Sequence, residues 1–180
     1  MLNSFNRFFK TNKILKNTED LYRDFLNCYG GDVLGKGLFT VFKIEDISKW
    51  NGIVSEAYMD FPKIFSVFGY DWLGRCFAID LRDETKGNVL MFEIGTADIL
   101  EIPVTLEEFL NDEIPNFSND CLASDFFEEW KEHSNVTIKY GRCTAYKVPL
   151  FLNGIDDLDN LEDSDLEVYW GIVGQLIPRR

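Results

Sequence analysis

Short apolar runs alternate with glycine-bearing turns in the middle of this 180-residue chain. The runs are KIFSVF, RCFAIDL and NVLMFEI, and the turns between them are GYDWLG and RDETKGN. Runs of this length and composition, separated by turn residues, are typical of consecutive antiparallel strands. We therefore expect a meander of three strands at the centre of the fold.

The second of these runs has a period of two. Phe77, Ile79 and Leu81 alternate with smaller or polar residues, and successive side chains of a strand point to opposite faces of the sheet. We expect Phe77, Ile79 and Leu81 to lie on the core face of this strand and Asp80 on the other face.

Helical periodicity precedes the meander. Leu21, Phe25 and Tyr29 recur every four residues, and Asn17 or Thr18 can serve as the N-cap. This pattern predicts a helix that ends at the glycine pair after Tyr29.

Two further elements are predicted between this helix and the meander, and one after it. A strand is expected from Gly37, and a helix is expected through EDISKWNGIV. After the meander, CLASDFFEEWKEH predicts one continuous helix. Its apolar stripe consists of Leu122, Phe126 and Trp130.

Capping-box spacing marks two helix starts in the second half of the chain. Thr105 and Glu108 have the spacing in which an N-cap hydroxyl and a glutamate satisfy each other's backbone amides. Ser164 and Glu167 repeat that spacing, so we expect the last helix to begin at Ser164 or Asp163.

These patterns together predict an α+β fold. We expect a single compact unit with a central, mainly antiparallel meander sheet flanked by helices. The length of the chain is close to that of one domain and is sufficient for a sizeable core.

The meander contains one turn that is unusually dense in functional groups. Asp71 and Arg75 are four residues apart and can bridge the turn, while Trp72 offers a ring that packs and an N–H that donates. Gly69 and Gly74 would supply the backbone freedom of a tight connection. We interpret these five residues as a structural turn rather than a catalytic site.

The charge of the chain is strongly negative and unevenly placed, with a formal net charge of -13. Residues 1–16 carry four basic groups and no acid, whereas residues 93–135 carry twelve acids against a single base, Lys131. Residues 156–167 carry seven acids and no base. Such charge repels phosphate backbones, so we do not expect nucleic acid as a partner. A basic protein is the expected partner instead. Alternatively, the acidic faces only keep the protein in solution.

Motifs for cofactor chemistry are incomplete. GGDVLGK has phosphate-loop spacing, but it lacks the following serine or threonine and stands between a helix and a strand in the wrong order. The acidic run 156–165 lacks the glycine of a calcium loop. His133 is the sole histidine, and the cysteines show no CxxC pair. We expect no cofactor, no metal site, no catalytic residues and reduced, mostly buried thiols.

The first residues of the chain indicate where in the cell the protein is expected. MLNSFNRFFKTNKILK lacks the uninterrupted apolar region of a secretory signal, and no apolar run is long enough to span a bilayer. We expect a cytoplasmic protein whose first aromatic residues pack on the body of the fold. A basic helix lying on a membrane surface is the alternative for this segment.

Several motifs in order resemble a known family. YDWLGR, KVPLFLNG and DLEVYWGIVGQL are similar to the C-terminal domain of the Tdi-like immunity proteins that protect bacteria from type VI secretion DNase toxins. The segment LYRDFLNCYGGDVLGKGLFTVFK and the residues that follow it resemble the GAD-like N-terminal domain of the same proteins. Together the two resemblances cover nearly the whole chain.

The resemblance implies two regions and a function. Residues 1–62 would form the GAD-like region and residues 63–180 the immunity-protein C-terminal domain, packed as one unit. A member of this family is expected to be a non-enzymatic cytoplasmic inhibitor that binds its cognate toxin and has no small-molecule substrate. An acidic protein can occupy the DNA groove of a nuclease as a phosphate mimic.

The acidic segments supply the candidate contact residues. We expect the toxin to contact Asp156, Asp157, Asp159 and Glu162, and secondarily Glu128 and Glu129. Two other functions stay open at this point. One is an intracellular protein-binding or regulatory module without a toxin partner. The other is an enzyme or metal protein that uses the carboxylates of the meander, such as Asp71 and Asp80, or of the acidic loop.

Overall fold

The structure, a computed structural model, describes residues 2–15 and 19–179 of the chain. Its centre is a six-stranded antiparallel sheet in which each strand pairs with the next along the chain. The strands are β1 (Val33–Leu34), β2 (Phe39–Val41), β3 (Phe65–Asp71), β4 (Cys76–Asp80), β5 (Asn88–Glu93) and β6 (Asp98–Thr105). The predicted α+β fold with a central antiparallel meander is confirmed.

The remaining elements flank this sheet. A second sheet pairs β7 (Arg142–Tyr146) with β8 (Leu161–Asp165). The helices are α1 (Asn3–Phe9), α2 (Leu21–Tyr29), α3 (Ile47–Ala57), α4 (Leu106–Glu108), α5 (Ile114–Asn116), α6 (Ser118–Leu122), α7 (Ser124–His133) and α8 (Leu166–Val173). A π-helical turn, Phe109–Glu113, joins α4 to α5.

Both faces of the large sheet are covered by apolar packing. One face forms a core with the aromatic residues of α1 and α2, where Phe5 and Phe25 are buried. The other face packs on α3 and α8, which contribute Trp50 and Trp170. Strands β2 and β3, which lie on either side of position 62 in the sequence, pair with each other in the large sheet. The predicted division into residues 1–62 and 63–180 stays a prediction.

The prediction of which β4 residues face the core is wrong in part. Phe77 does lie in one core, but Cys76 and Ala78 are fully buried in the other, because helices cover both faces of the strand. Leu81 follows the strand and is 38% exposed. Asp80 is buried, where its carboxylate accepts a hydrogen bond from Arg82 Nη2 at 2.6 Å.

Strand β6 is absent from the sequence predictions. It contains Pro103, which cannot donate to a strand ladder, and each of its side chains is either exposed or half-buried. Both properties suit its position at the edge of the sheet, where proline is tolerated.

Three predicted helix boundaries are corrected. Asp20 caps α2 by accepting from the amide of Arg23 at 3.0 Å, while Asn17 and Thr18 lie outside the described residues. Ala123 has a φ of 50°, which breaks the expected helix into α6 and α7. The buried face of α7 consists of Phe127 and Trp130, and Phe126 is only half-buried.

The third correction concerns the last helix. Ser164 is not its cap, because the chain stays paired with β7 through residue 165. The carboxylate of Asp165 instead accepts from the amide of Val168 at 3.0 Å. The other capping box is confirmed, since Thr105 Oγ1 accepts from the Glu108 amide at 3.3 Å and Glu108 Oε2 accepts from the Thr105 amide at 2.9 Å.

The first aromatic residues of the chain pack on the body of the fold, as expected. Phe5 and Phe9 of α1 are buried in the core, whereas Ile14 is 79% exposed. Within the described residues, no helix is both long enough and apolar enough to cross a membrane. Cys76, Cys121 and Cys143 are buried free thiols, and Cys28 is half-buried and also free.

The turn between β3 and β4 is fastened by a buried ion pair, as predicted. Asp71 Oδ2 accepts from Arg75 Nε at 2.6 Å, and Asp71 Oδ1 accepts from the amides of Leu73 and Arg75 at 3.1 and 3.0 Å. The guanidinium also donates to the carbonyl oxygen of Cys121 at 3.2 Å. We call residues 71–75 the Asp71–Arg75 turn.

Neighbouring elements dock on this turn through hydrogen bonds. The Trp72 indole donates to the Leu122 carbonyl oxygen at 2.9 Å, and the Trp170 indole donates to the Gly74 carbonyl oxygen at 2.8 Å. The Thr144 amide donates to the Trp72 carbonyl oxygen at 2.6 Å. The turn therefore holds α6, α8 and β7 against the end of the large sheet.

The two glycines of this region have different roles. Gly74 has a φ of 75°, so it supplies the backbone freedom expected of it. Gly69 lies in β3 without a positive φ, and the prediction of backbone freedom there is wrong. A Cβ atom at Gly69 would lie 2.6 Å from Phe39 Cζ, so this glycine is needed for the close approach of the Phe39 ring.

Replacing Asp71 with alanine should lower the free energy of unfolding by about 3–5 kcal/mol, because the buried Arg75 would lose the carboxylate 2.6 Å from its Nε and keep only Glu93, 3.5 Å from its Nη1. Chemical denaturation measures the change. Glu128→Ala is the control, since it removes an exposed pair with Lys131 that should contribute less than about 1 kcal/mol. Equal losses in the two variants would contradict a stabilising role of the buried pair.

The carboxyl group of Glu93, at the end of β5, has a raised pKa. Burial raises the pKa of its carboxyl group from 4.5 to about 7, although the nearby Arg75 guanidinium lowers it. Glu93 Oε2 accepts from Arg75 Nη1 at 3.5 Å, and Glu93 Oε1 accepts from the Gly95 amide at 3.2 Å. The folded protein therefore retains this proton at pH values where the unfolded chain has released it.

The raised pKa of Glu93 predicts a pH dependence of stability. Between pH 4.5 and about 7 the folded state binds more protons at this group than the unfolded state, so its contribution to stability falls as pH rises. Relative to Glu93→Gln, the wild type should lose up to about 3 kcal/mol of unfolding free energy across this window. Denaturation of both proteins at a series of pH values tests this, and parallel profiles would refute it.

Candidate partner-binding site

Acidic residues from two distant segments meet at one groove. The groove has a volume of about 750 Å³ and lies between the end of α7 and the segment 157–163. Its charged or titratable lining residues are Glu129, His133, Asp157, Asp159, Glu162 and Asp163. We call this the acidic groove.

Helix α7 presents Glu129 because its opposite face is anchored in the core. The rings of Phe127 and Trp130 lie 5.3 and 5.7 Å from that of Trp72 in the Asp71–Arg75 turn. With this face buried, Glu128 and Glu129 are exposed on the outer side of the helix. His133, at the end of α7, has its Nδ1 2.8 Å from the Glu129 carbonyl oxygen.

The other wall of the groove is fixed by a cap and by strand pairing. Asp157 caps a short 3-10 helix, Leu158–Asn160, by accepting from the Asn160 amide at 3.2 Å. The following strand β8 pairs with β7, which leaves Glu162 exposed opposite Ala145. One wall is therefore held by aromatic packing on the core and the other by a cap and strand pairing, and carboxylates of both walls reach solvent.

The structure brings together four of the six predicted contact residues. Asp157, Asp159, Glu162 and Glu129 line the acidic groove. Asp156 lies outside its lining and accepts from the Tyr146 hydroxyl at 2.6 Å. Glu128 also lies outside it, where it accepts from Lys131 Nζ at 2.9 Å. Contact with a partner stays a prediction for all six residues.

Two of the charged or titratable lining residues, Asp163 and His133, are absent from the sequence predictions of contact residues. The sequence predicts Asp163 near a helix N-terminus, but this residue lies in β8 and forms an ion pair with Arg142 of β7. LEDSD has no β-branched or aromatic residue that would indicate a strand. The helix predicted through CLASDFFEEWKEH ends at His133, as α7 does in the structure, but no sequence signal places that end beside residues 157–163.

The carboxylates of the meander do not form a shared site. Asp71 and Asp80 are fully buried, and each has its own arginine, Arg75 and Arg82 respectively. Neither lines the acidic groove. In the part of the chain that the structure describes, no group of three or more histidine, cysteine or acidic residues is placed to hold a metal ion.

The arrangement of the acidic groove suits the binding of positively charged side chains. Exposed carboxylates accept charge-assisted hydrogen bonds from lysine and arginine side chains, and arginine can engage a carboxylate through two N–H groups at once. A groove lined by one sign of charge also concentrates oppositely charged partners near its mouth. The site is therefore a candidate surface for a basic protein.

Comparison with known proteins identifies the family. Residues 19–112, more than half of the chain, match the model of the SMI1/KNR4 family (SUKH-1), and the chain belongs to that family. Residues 104–177 match the model described as T6SS immunity protein Tdi1, C-terminal. The two matches support the predicted type VI secretion immunity protein family, and the GAD-like character of residues 1–62 stays a prediction.

A solved structure shares the fold. The crystal structure of Atu4351 from Agrobacterium tumefaciens is similar with a TM-score of 0.65 and 16% sequence identity, over 97% of this chain and 89% of that one. No curated protein shows significant similarity.

Immunity-protein families are generally non-enzymatic and indicate the neutralisation of a toxin, so the family implies a toxin as the partner.

Removing charge from the groove should leave the fold intact. Asp159→Asn and Glu162→Gln replace exposed carboxylates that line the groove, and such surface changes usually alter the free energy of unfolding by less than about 0.5 kcal/mol. Thermal denaturation of each variant provides the measurement. A loss of several kcal/mol would show that these carboxylates support the fold rather than a partner.

Proposed function

We propose that this protein is a cytoplasmic immunity protein that neutralises a basic toxin, a nuclease delivered by type VI secretion. In this proposal the acidic groove binds the toxin surface that would otherwise bind nucleic acid. The observation that carries the proposal is the convergence of Glu129 with Asp157, Asp159 and Glu162 in one solvent-facing groove. The family matches support a toxin as the partner.

Charge complementarity explains why a nuclease would be a suitable partner. A nuclease must present lysine and arginine side chains to the phosphates of its substrate, and carboxylates can occupy the same positions. The net charge of -13 also attracts a basic protein over a distance and accelerates encounter. Inhibition then requires no chemistry from this chain, only occupation of the substrate-binding surface.

The proposal is tested with the product of the neighbouring gene. Co-expression of the two proteins in bacteria should protect the cells from the toxicity of that product, and the two should purify as a complex. The purified complex should also lack the nuclease activity of the free toxin. A neighbouring product that is neither toxic nor bound by this protein would contradict the proposal.

Charge reversal in the groove should slow toxin binding. Combining Glu129→Lys, Asp159→Lys and Glu162→Lys is expected to lower the association rate constant by about tenfold or more and to weaken its dependence on salt. Surface-binding kinetics at several salt concentrations measure both effects. Because the combination also changes the net charge, the control needs the same change elsewhere.

Three exposed acids outside the acidic groove provide that control. Glu19→Lys, Glu84→Lys and Glu101→Lys together change the net charge equally. They should affect the association rate less than the groove variant, because they leave the local field of the groove in place. Equal effects of the two combinations would mean that net charge, rather than the groove, governs binding.

A further inference from the structure

A second and larger groove lies between α3 and α8. It has a volume of about 950 Å³ and is bounded by α3 with residues 58–61, the β5–β6 turn, and α8 with the residues that follow it. None of its lining residues is shared with the acidic groove. We call it the α3–α8 groove.

The interior of the α3–α8 groove is apolar. Trp170 and Tyr58 are buried among its lining residues, with the half-buried Ile53, Phe61 and Ile99 around them. The exposed side chain of Met59, which also lines the groove, adds apolar surface at 49% exposure. Contiguous apolar surface of this kind marks interaction sites.

The edge of the α3–α8 groove is acidic. Its exposed lining residues include the carboxylates of Glu56, Asp60, Asp98 and Glu167. Glu167 forms an ion pair with Lys49 of α3. Among the described lining residues Arg179 is the only base, so the edge keeps a surplus of negative charge. An apolar centre inside a charged edge is the usual anatomy of a protein interface.

Gly171 of α8 and Gly174, which directly follows α8, differ in what surrounds them. A Cβ atom at Gly174 would lie 2.9 Å from the Cβ of Ala57, so this glycine allows α8 to pack closely on α3. At Gly171, which also lines the groove, no atom lies within 4 Å of a built Cβ. Gly171 therefore leaves helix backbone open to the groove, and a side chain added there would enter free space.

We propose that the α3–α8 groove binds a segment of the toxin that carries apolar side chains flanked by lysine or arginine. The inference rests on the proposed function and adds a second contact surface to it. The apolar side chains would cover Ile53, Phe61 and Ile99, while the basic groups pair with Glu56 and are attracted by the net negative charge of the edge. An acidic segment would be repelled by the same edge.

The test fills the groove without disturbing the core. Gly171→Gln adds a long side chain at an exposed helical position, and Gly52→Gln makes the same change in α3, where a built Cβ also meets no atom within 4 Å. Gly52 lines neither groove. Since glutamine favours helix more than glycine does, both variants should unfold at or above the wild-type temperature.

The binding probe is the product of the neighbouring gene, measured by titration calorimetry. Gly171→Gln should weaken binding at least tenfold, whereas Gly52→Gln should bind like the wild type. Equal affinity of the two variants would overturn the inference and leave the proposed function intact. Absence of binding by the wild type would overturn the proposed function, and the inference with it.

A second measurement separates the toxin segment from a second copy of this chain. Sedimentation of the protein alone should give a monomer for the wild type and for Gly171→Gln. A wild-type dimer that Gly171→Gln dissociates would show that the groove binds another copy, which overturns the inference. Peptides spanning the toxin sequence should include a basic, apolar segment that binds the wild type more tightly than it binds Gly171→Gln. If no peptide binds the two proteins differently, the inference is overturned.

Discussion

The buried ion pair between Asp71 and Arg75 is the constraint on which the rest of the structure depends. A carboxylate removed from water is costly unless it is paired and hydrogen-bonded, and here Arg75 Nε lies 2.6 Å from Asp71 Oδ2 while two backbone amides donate to Oδ1. The same guanidinium reaches the carbonyl oxygen of Cys121 at the end of α6. One charge pair therefore closes a turn of the large sheet and fixes the helices beside it.

The acidic groove follows from that arrangement. Trp72 of the same turn packs against Phe127 and Trp130, which holds the inner face of α7. The Trp72 carbonyl oxygen accepts from Thr144 of β7, and β7 in turn pairs with the strand that bears Glu162. Both walls of the groove are thus attached to one buried turn, so their carboxylates are positioned by the core and remain available to a partner.

The sequence predicts the features that local physics determines. The meander, the Thr105–Glu108 capping box and the Asp71–Arg75 pair follow from alternation, spacing and charge within a few residues. Strand β8 and the break at Ala123 depend on pairing and packing with distant segments, and neither has a local signal. For the same reason the sequence predicted acidic contact residues in two segments but could not predict that α7 and residues 157–163 form one groove.

The proposed function requires that the acidic groove contacts the toxin. Hydrogen exchange of this protein, free and in complex with the product of the neighbouring gene, tests it directly because protection reports which backbone amides become covered or stabilised. We expect slower exchange in residues 129–136 and 157–163 of the complex. A complex that forms while exchange in both segments stays unchanged would contradict it.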